Sequence, residues 1–335
     1  MKTIRRALLV AGAAFSAHAA QAQSLCGGTP LQLKTPTLSA VPYVELGLDG
    51  KTGPWLIDYG NTSSAVSAGF WSAPSQGKPI KLGGFTFPTA PAGERAFPVH
   101  AMAARPIGVG APHGVVGTDI LRSATVEFHF GDGNKPIAFI SKPGCDPKEV
   151  WDQGFFRIRQ KGFFGSGGSG SALNNVPVVF IRLEERTLDS AQPEPATPKK
   201  AGLVWAQIDT GYDDSYWPYT IDINEAYLAE LKKLSPAPVL MGLVRIGGCN
   251  NEMSNREVYT MPGWKLRIAD ETGITMHSRW FDGFYFIVKP KQTSCGGIGP
   301  MNVPAAQLGA SFLRAFGTTI VMPDSGDVFI KVPKL

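Results

Sequence analysis

The sequence has few of the features that mark helical, disordered or membrane-spanning proteins. Charged residues make up only 18% of its 335 residues and form no long run, whereas apolar residues make up 43%. This balance excludes wholesale disorder. No long amphipathic helical repeat occurs, and glycine (39) with proline (27) exceeds the usual share. We therefore predict a turn-rich, strand-dominated chain of roughly two domains, at about 150 residues each.

Several catalytic and metal-binding motifs are also missing. The sequence has no Gly-x-Ser-x-Gly elbow, no His-Glu-x-x-His and no nucleotide-binding Gly-rich turn. None of the four cysteines lies in a Cys-x-x-Cys pair, which argues against zinc or a redox dithiol. We expect neither a metal nor a cofactor. Four cysteines allow three disulfide pairings. We favour Cys26–Cys145 with Cys249–Cys295, because each bridge then stays within one half of the chain.

Residues 1–22 are typical of a signal peptide. Three basic residues precede the apolar run Ala7–Phe15, and the small residues of Ala20-Gln21-Ala22 suit a signal peptidase. The run is too short to be a stable membrane anchor. Removing residues 1–22, which hold three basic and no acidic side chains, lowers the formal net charge from +5 to +2. That charge is too small for a nucleic-acid partner. We expect a periplasmic or secreted monomer with no membrane anchor.

A Gly/Ser-rich segment divides the chain into two lobes. Residues 161–172 predict a linker between an N-terminal lobe at 24–160 and a C-terminal lobe at 173–335. The best helical pattern is Ile223–Leu231. Short apolar runs bounded by Gly and Pro predict strands at Val41–Leu48, Pro54–Ile57, Ile80–Phe87, Thr125–Phe130, Val176–Leu183, Gly202–Ile208, Lys265–Ile268, Phe284–Val288 and Val328–Val332.

The two halves of the sequence repeat a four-part pattern. In each half an apolar strand runs into Asp-x-Gly, at Asp58-Tyr59-Gly60 and at Asp209-Thr210-Gly211. Each is followed later by two residues and a glycine, at Val115-Val116-Gly117 and at Gln307-Leu308-Gly309, with Leu-Arg four and five residues further on. A single Asp-x-Gly is usually only a strand followed by a turn. Two matching sets in the same order favour a functional repeat.

Two carboxyl groups that face each other can act together as a general acid and a general base. At about 3 Å apart they cannot both ionise, so the pair shares one proton and its two pKa values separate. The ionised member can accept a proton from a water molecule while the protonated member donates to the carbonyl under attack. The result is general acid–base hydrolysis with no covalent intermediate.

The paired elements resemble those of the pepsin-like and retropepsin-like aspartic peptidases, over most of residues 40–335. The resemblance implies an all-β, bilobal fold with two pseudo-twofold-related lobes, few short helices and a peptide or protein substrate bound extended between the lobes. It also implies roles for six residues: Asp58 and Asp209 as the catalytic pair, Gly60 and Gly211 as turn glycines, and Gly117 and Gly309 as bracing glycines.

The family also has a β-hairpin flap over its substrate. Here the candidate is Ile80–Phe87, in which a Gly83-Gly84 turn separates two strand-like stretches. No tyrosine lies there to match the flap tyrosine of the pepsin type, so Phe85 is a candidate to cover the substrate, although a core position is the simpler reading.

The first motif departs from the family pattern of Asp-Thr/Ser-Gly followed by Ser or Thr. Tyr59 replaces the threonine whose hydroxyl links the two turns, and Asn61 stands where the family has a hydroxyl. Asn61 retains the capacity to donate to a carboxylate. The second motif keeps Thr210 but continues with Tyr212. Three hypotheses stay open: an acid-active endopeptidase, a peptide- or protein-binding module with impaired catalysis, and a structural domain of the cell envelope.

Overall fold

A computed structural model gives the architecture. It describes residues 23–36, 39–75, 80–87, 97–100, 102, 109–130, 136–142, 144–159, 176–186, 199–213, 219–247, 253–270, 272–274, 283–291 and 297–331. The predicted signal peptide, the predicted linker and the predicted Cys249–Cys295 bridge lie outside these residues. The disulfide predicted between Cys26 and Cys145 is present.

The described part of the chain is built mostly from strands, with four short helices, so the expected all-β class is confirmed. The strands are β1 (Thr29–Lys34), β2 (Tyr43–Leu48), β3 (Lys51–Ile57), β4 (Ala65–Ser67), β5 (Ile80–Leu82), β6 (Phe85–Phe87), β7 (Val99–His100), β8 (Gly114–Val116), β9 (Thr125–His129), β10 (Ile137–Ser141), β11 (Phe156–Arg159), β12 (Val178–Glu185), β13 (Val204–Asp209), β14 (Thr220–Asn224), β15 (Val239–Gly247), β16 (Met253–Thr260), β17 (Trp264–Ala269), β18 (Tyr285–Lys289), β19 (Ala305–Gly309), β20 (Thr318–Met322) and β21 (Asp327–Lys331). The helices are α1 (Thr118–Leu121), α2 (Pro147–Asp152), α3 (Glu225–Leu231) and α4 (Ala310–Arg314). The longest of these helices has seven residues, and none in the described ranges could span a membrane.

Two large sheets organise the molecule. The first has the order β11-β21-β20-β9-β10-β1-β2-β3-β8-β4-β7, and the second has the order β15-β16-β18-β14-β19-β13-β12-β17. A separate hairpin joins β5 to β6. Each predicted strand run overlaps an observed strand. The predicted helix begins two residues later than expected, because Asn224 ends β14 and caps α3 by accepting a hydrogen bond from Tyr227 N at 2.9 Å.

Two strands of the second half join the sheet formed by the first half. Strand β20 pairs antiparallel with β9, and β21 pairs with β20 and with β11. One apolar core runs through both halves, and it contains Ile57 and Phe128 from the first half and Ile208 and Val321 from the second. The strands that lead into the two Asp-x-Gly motifs therefore pack on the same apolar core.

Candidate active site

The two Asp-x-Gly motifs lie in equivalent three-stranded units. In the first unit β8 lies between β3, which is parallel to it, and β4, which is antiparallel. In the second unit β19 lies between parallel β13 and antiparallel β14. Asp58 follows β3 and donates its backbone N–H to Val116 O at 2.9 Å, whereas Asp209 ends β13 opposite Gly309. The same topology thus places each aspartate at the end of its strand.

The two bracing glycines support the turns in the same way. Thr118 N, next to Gly117, donates to Asn61 O, and Ala310 N, next to Gly309, donates to Tyr212 O, each at 2.8 Å. A Cβ atom on either glycine would lie 2.7 Å from the carbonyl oxygen that its neighbour binds. Glycine is needed at both positions because the backbones approach so closely.

The structure brings Asp58 and Asp209 together. Each carboxyl group lies against the turn glycine of the other motif, Asp209 beside Gly60 and Asp58 beside Gly211. Gly60 N donates to Asp58 Oδ1 at 2.7 Å, and Gly211 N donates to Asp209 Oδ1 at 3.0 Å. A side chain at position 60 would overlap the Asp209 carboxyl group, and one at position 211 would overlap that of Asp58. The turn glycines therefore permit the approach of the two carboxyl groups.

The two carboxyl groups differ in their electrostatic surroundings. Burial, the negative charge of Asp209 and the hydrogen bond to Asp209 raise the pKa of Asp58 well above its ordinary value. Burial also raises the pKa of Asp209, but the Lys289 ammonium group, the hydrogen bond from Asp58 and the N–H groups of Gly211 and Tyr212 act against the rise. The pair therefore favours a shared proton on Asp58 and the negative charge on Asp209.

Three hydrogen bonds tie the first turn to the second unit. Thr210 Oγ1 accepts from Tyr59 N at 3.0 Å and donates to Ile57 O at 2.7 Å, deep in the interior. Gln207 Nε2 donates to Gly60 O at 3.2 Å. Thr210 thus provides one of the two hydroxyl links that the family resemblance implies.

The altered residues of the first motif have structural contacts of their own. The Tyr59 side chain is fully buried and packs edge-on against Phe128, with ring centroids 6.0 Å apart. An apolar contact within the first half therefore takes the place of a second hydroxyl link. Asn61 Oδ1 accepts from Ser63 N at 3.1 Å, so the side chain stabilises its own loop, where the sequence suggested a bond to a carboxylate.

The candidate flap forms the predicted hairpin with its turn at Gly83 and Gly84, which have φ values of 55° and 79°. The position of Gly83 lies against Ile140, Leu31 and Thr29, so the turn packs on β10 and β1. A covering role for Phe85 stays a prediction.

A cluster of buried polar side chains beside Asp209 was not predicted from the sequence. It consists of Gln207, Gln307, Asp222, Lys289 and Arg256, all at least nine-tenths buried on the eight-stranded sheet. Gln207, Gln307 and Asp222 gave a signal in the sequence, because each lies between two apolar residues of a strand, but such alternation usually indicates a solvent-facing surface.

Tyr43 was also missed. Burial and the charge of Asp58 raise the pKa of Tyr43 to about 12, so this phenol stays protonated beside the carboxyl pair. Its apolar setting gave no signal in the sequence.

In the described ranges, no group of three or more His, Cys, Asp or Glu side chains has a metal-binding arrangement.

Comparison with known proteins gives a likeness in structure. No protein-family profile and no curated protein match the chain. Among solved structures, the aspartic proteinase from Irpex lacteus is similar, at 13% sequence identity and a TM-score of 0.47, over 90% of this chain and 96% of that one.

Proposed function

We propose that this protein is an exported aspartic-type endopeptidase that hydrolyses peptide bonds with Asp58 and Asp209 as its catalytic pair. The observation that carries the proposal is the close approach of the two carboxyl groups, one from each repeated unit, each of which lies against the turn glycine of the other unit. Chance placement of two Asp-x-Gly turns does not produce this contact, which needs glycine at positions 60 and 211.

The different surroundings of the two carboxyl groups suggest their roles. Asp209 is the general base. It takes a proton from a bound water molecule while the oxygen of that water attacks the peptide carbonyl carbon. Asp58 donates its proton to the carbonyl oxygen, giving a tetrahedral diol. Asp209 then passes the proton it took from the water to the amide nitrogen. The C–N bond breaks while a diol hydroxyl gives its proton to Asp58, which leaves a carboxylic acid, an amine and the monoprotonated pair. Both aspartates keep part of their surface exposed, as access by a substrate requires.

The proposed function also includes a substrate class and a cellular location. A peptide or protein segment in extended conformation suits a site between two strand-built units, because the sheets offer backbone groups on both sides. Export to the periplasm or outside the cell is supported by the Cys26–Cys145 disulfide, since such bonds persist in oxidising compartments.

The test is cleavage of unfolded protein and peptide mixtures between pH 3 and 7, followed by mass spectrometry. We expect Asp58→Asn and Asp209→Asn each to lower kcat/KM by about 10³-fold, because each removes one proton-transfer group. The matched control is Asp152→Asn, which changes an exposed aspartate on α2 and leaves the rate unchanged. Full activity in either active-site variant contradicts the proposal.

A second candidate, a binding module that has lost hydrolysis, is favoured by one observation. Tyr59 gives its side chain to the core, so only one hydroxyl, that of Thr210, links the turns. This candidate predicts that the wild type cleaves nothing but binds a transition-state-like statine peptide, with affinity lost in Asp209→Asn.

A further inference from the structure

Five strands place polar side chains on the same face of the eight-stranded sheet as Asp209. Gln207 precedes Asp209 by two residues and pairs with Gln307, which pairs with Asp222. Side chains two apart in a strand, and those directly opposite across strands, share a face. Asp222 pairs with Ile287, two residues before Lys289. Lys289, at the end of β18, therefore lies on the same face of the sheet as Asp209, the proposed general base.

Close contacts fix Lys289 in this interior. Its Nζ atom donates to Gln307 Oε1 at 3.1 Å and lies 5.9 Å from the centre of the Tyr212 ring. Only 8% of the residue is exposed. A Cβ atom on Gly297 would come within 3.3 Å of the same Nζ, so backbone covers it on another side. A cation held this way has lost most of its hydration, which is costly unless negative charge lies nearby.

The negative charge near Lys289 comes from two carboxyl groups. Asp222 has its own basic partner, because its Oδ2 lies 3.4 Å from Arg256 Nη1, and its Oδ1 accepts from Tyr212 Oη at 3.1 Å. Lys289 also interacts electrostatically with Asp209, where its charge opposes the effect of burial. The charge of Lys289 therefore acts on both carboxyl groups: it opposes the effect of burial on the pKa of Asp209 and also, more strongly than Arg256, on the pKa of Asp222.

We propose that Lys289 is a positioning residue that keeps the negative charge of the carboxyl pair on Asp209 and the shared proton on Asp58, and so sets the acid limit of activity. The inference rests on the proposed function for its kinetic test. The monoprotonated pair forms when Asp209 loses its proton, and a nearby cation lets that happen at lower pH. Lys289 thus extends activity toward acid.

The groups that face Lys289 from the surrounding elements determine in which direction each substitution should move the titration of Asp209. They are Asp209 at the end of β13, Asp222 on β14, Arg256 on β16, Tyr285 on β18 and Tyr212 in the turn, with Asp58 across the site. Asp222 and Lys289 have opposite charges, so their removal should move the titration of Asp209 in opposite directions.

The experiment is the pH profile of kcat/KM for the wild type, Lys289→Met, Lys289→Arg and Asp222→Asn. Lys289→Met should move the acid limb to higher pH, with a loss of roughly tenfold on that limb and little change above it. Asp222→Asn should move the limb to lower pH, and Lys289→Arg should keep it near the wild-type position. Lys289→Gln, which can still bond to Gln307, replaces the methionine variant if that variant does not fold.

A second readout separates this inference from the proposed function. Infrared difference titration against Asp58→Asn and Asp209→Asn follows the protonated-carboxyl stretch of each group without any substrate. In Lys289→Met we expect the Asp209 band to appear at higher pH than in the wild type. An unchanged titration in a folded Lys289→Met protein, or shifts of the same sign in Lys289→Met and Asp222→Asn, overturns the inference. A wild type that cleaves nothing overturns the proposed function alone.

Discussion

The first and second Asp-x-Gly units share a backbone plan and differ in the side chains around it. Where the second unit has Gln207, two residues before its aspartate, the first has Leu56. Likewise Val115 pairs with Ala65 in the first unit, as Gln307 pairs with Asp222 in the second. The first unit is apolar beside its carboxyl group, and the second is polar and charged.

This difference teaches how a pseudo-symmetric site becomes chemically asymmetric. Equivalent hydrogen bonds hold the two turns, and equivalent glycines bring the carboxyl groups together. In the first unit, burial raises the pKa of Asp58, and the negative charge of Asp209 raises it further. Lys289 acts in the opposite direction on Asp209. The backbone thus places the pair, and the side chains decide which member holds the proton.

The largest expected effect comes from exchanging the equivalent positions 222 and 65. Asp222→Ala leaves Arg256 buried without its carboxylate and should lower the free energy of unfolding by about 3–5 kcal/mol. Ala65→Asp puts a carboxyl group at a fully buried apolar position and should cost at least as much as a typical buried polar group, about 1–3 kcal/mol. Urea denaturation measures both. Costs below 1 kcal/mol for both would mean that the two units are interchangeable.

The next effect concerns the residues after each aspartate. Tyr59→Thr makes the first motif like the second, but it empties space beside Phe128 and should lower the free energy of unfolding by about 2–4 kcal/mol. Thr210→Val leaves Tyr59 N and Ile57 O without their shared hydroxyl and should cost about 1–3 kcal/mol. Denaturation at pH 6 compares the two, with Thr272→Val at an exposed turn as control. A stabilised Tyr59→Thr would show that the hydroxyl link outweighs the packing.

The smallest effect is the pH dependence of stability. The folded protein binds the Asp58 proton more tightly than the unfolded chain, so the free energy of unfolding falls as pH rises from the ordinary aspartate pKa to the raised one. Asp58→Asn removes this loss and should be more stable than the wild type at pH 7 by about 1 kcal/mol or more. The gain for Asp209→Asn should be smaller, because it also gives up the attraction to Lys289. Equal pH slopes in Asp58→Asn and the wild type would contradict the asymmetry.

The sequence was informative wherever a local pattern had one meaning. Apolar runs that end in Asp-x-Gly predicted the strands that lead to Asp58 and Asp209, and the repeat predicted which residues the fold brings together. Non-local arrangements were not accessible in this way. The pairing of β20 with β9 and the buried charges at Asp222 and Lys289 depend on strand order and facing, which no short window of sequence specifies.

The position of β20 and β21 has a consequence for the order of assembly. These strands, formed by residues of the second half, complete a sheet whose other strands come from the first half. A growing or truncated chain that stops near residue 160 would leave β9 with an uncovered edge, open to association with other chains. Pairing between such distant segments also slows folding. The sheet of the first half therefore stays incomplete until β20 and β21 pair with it.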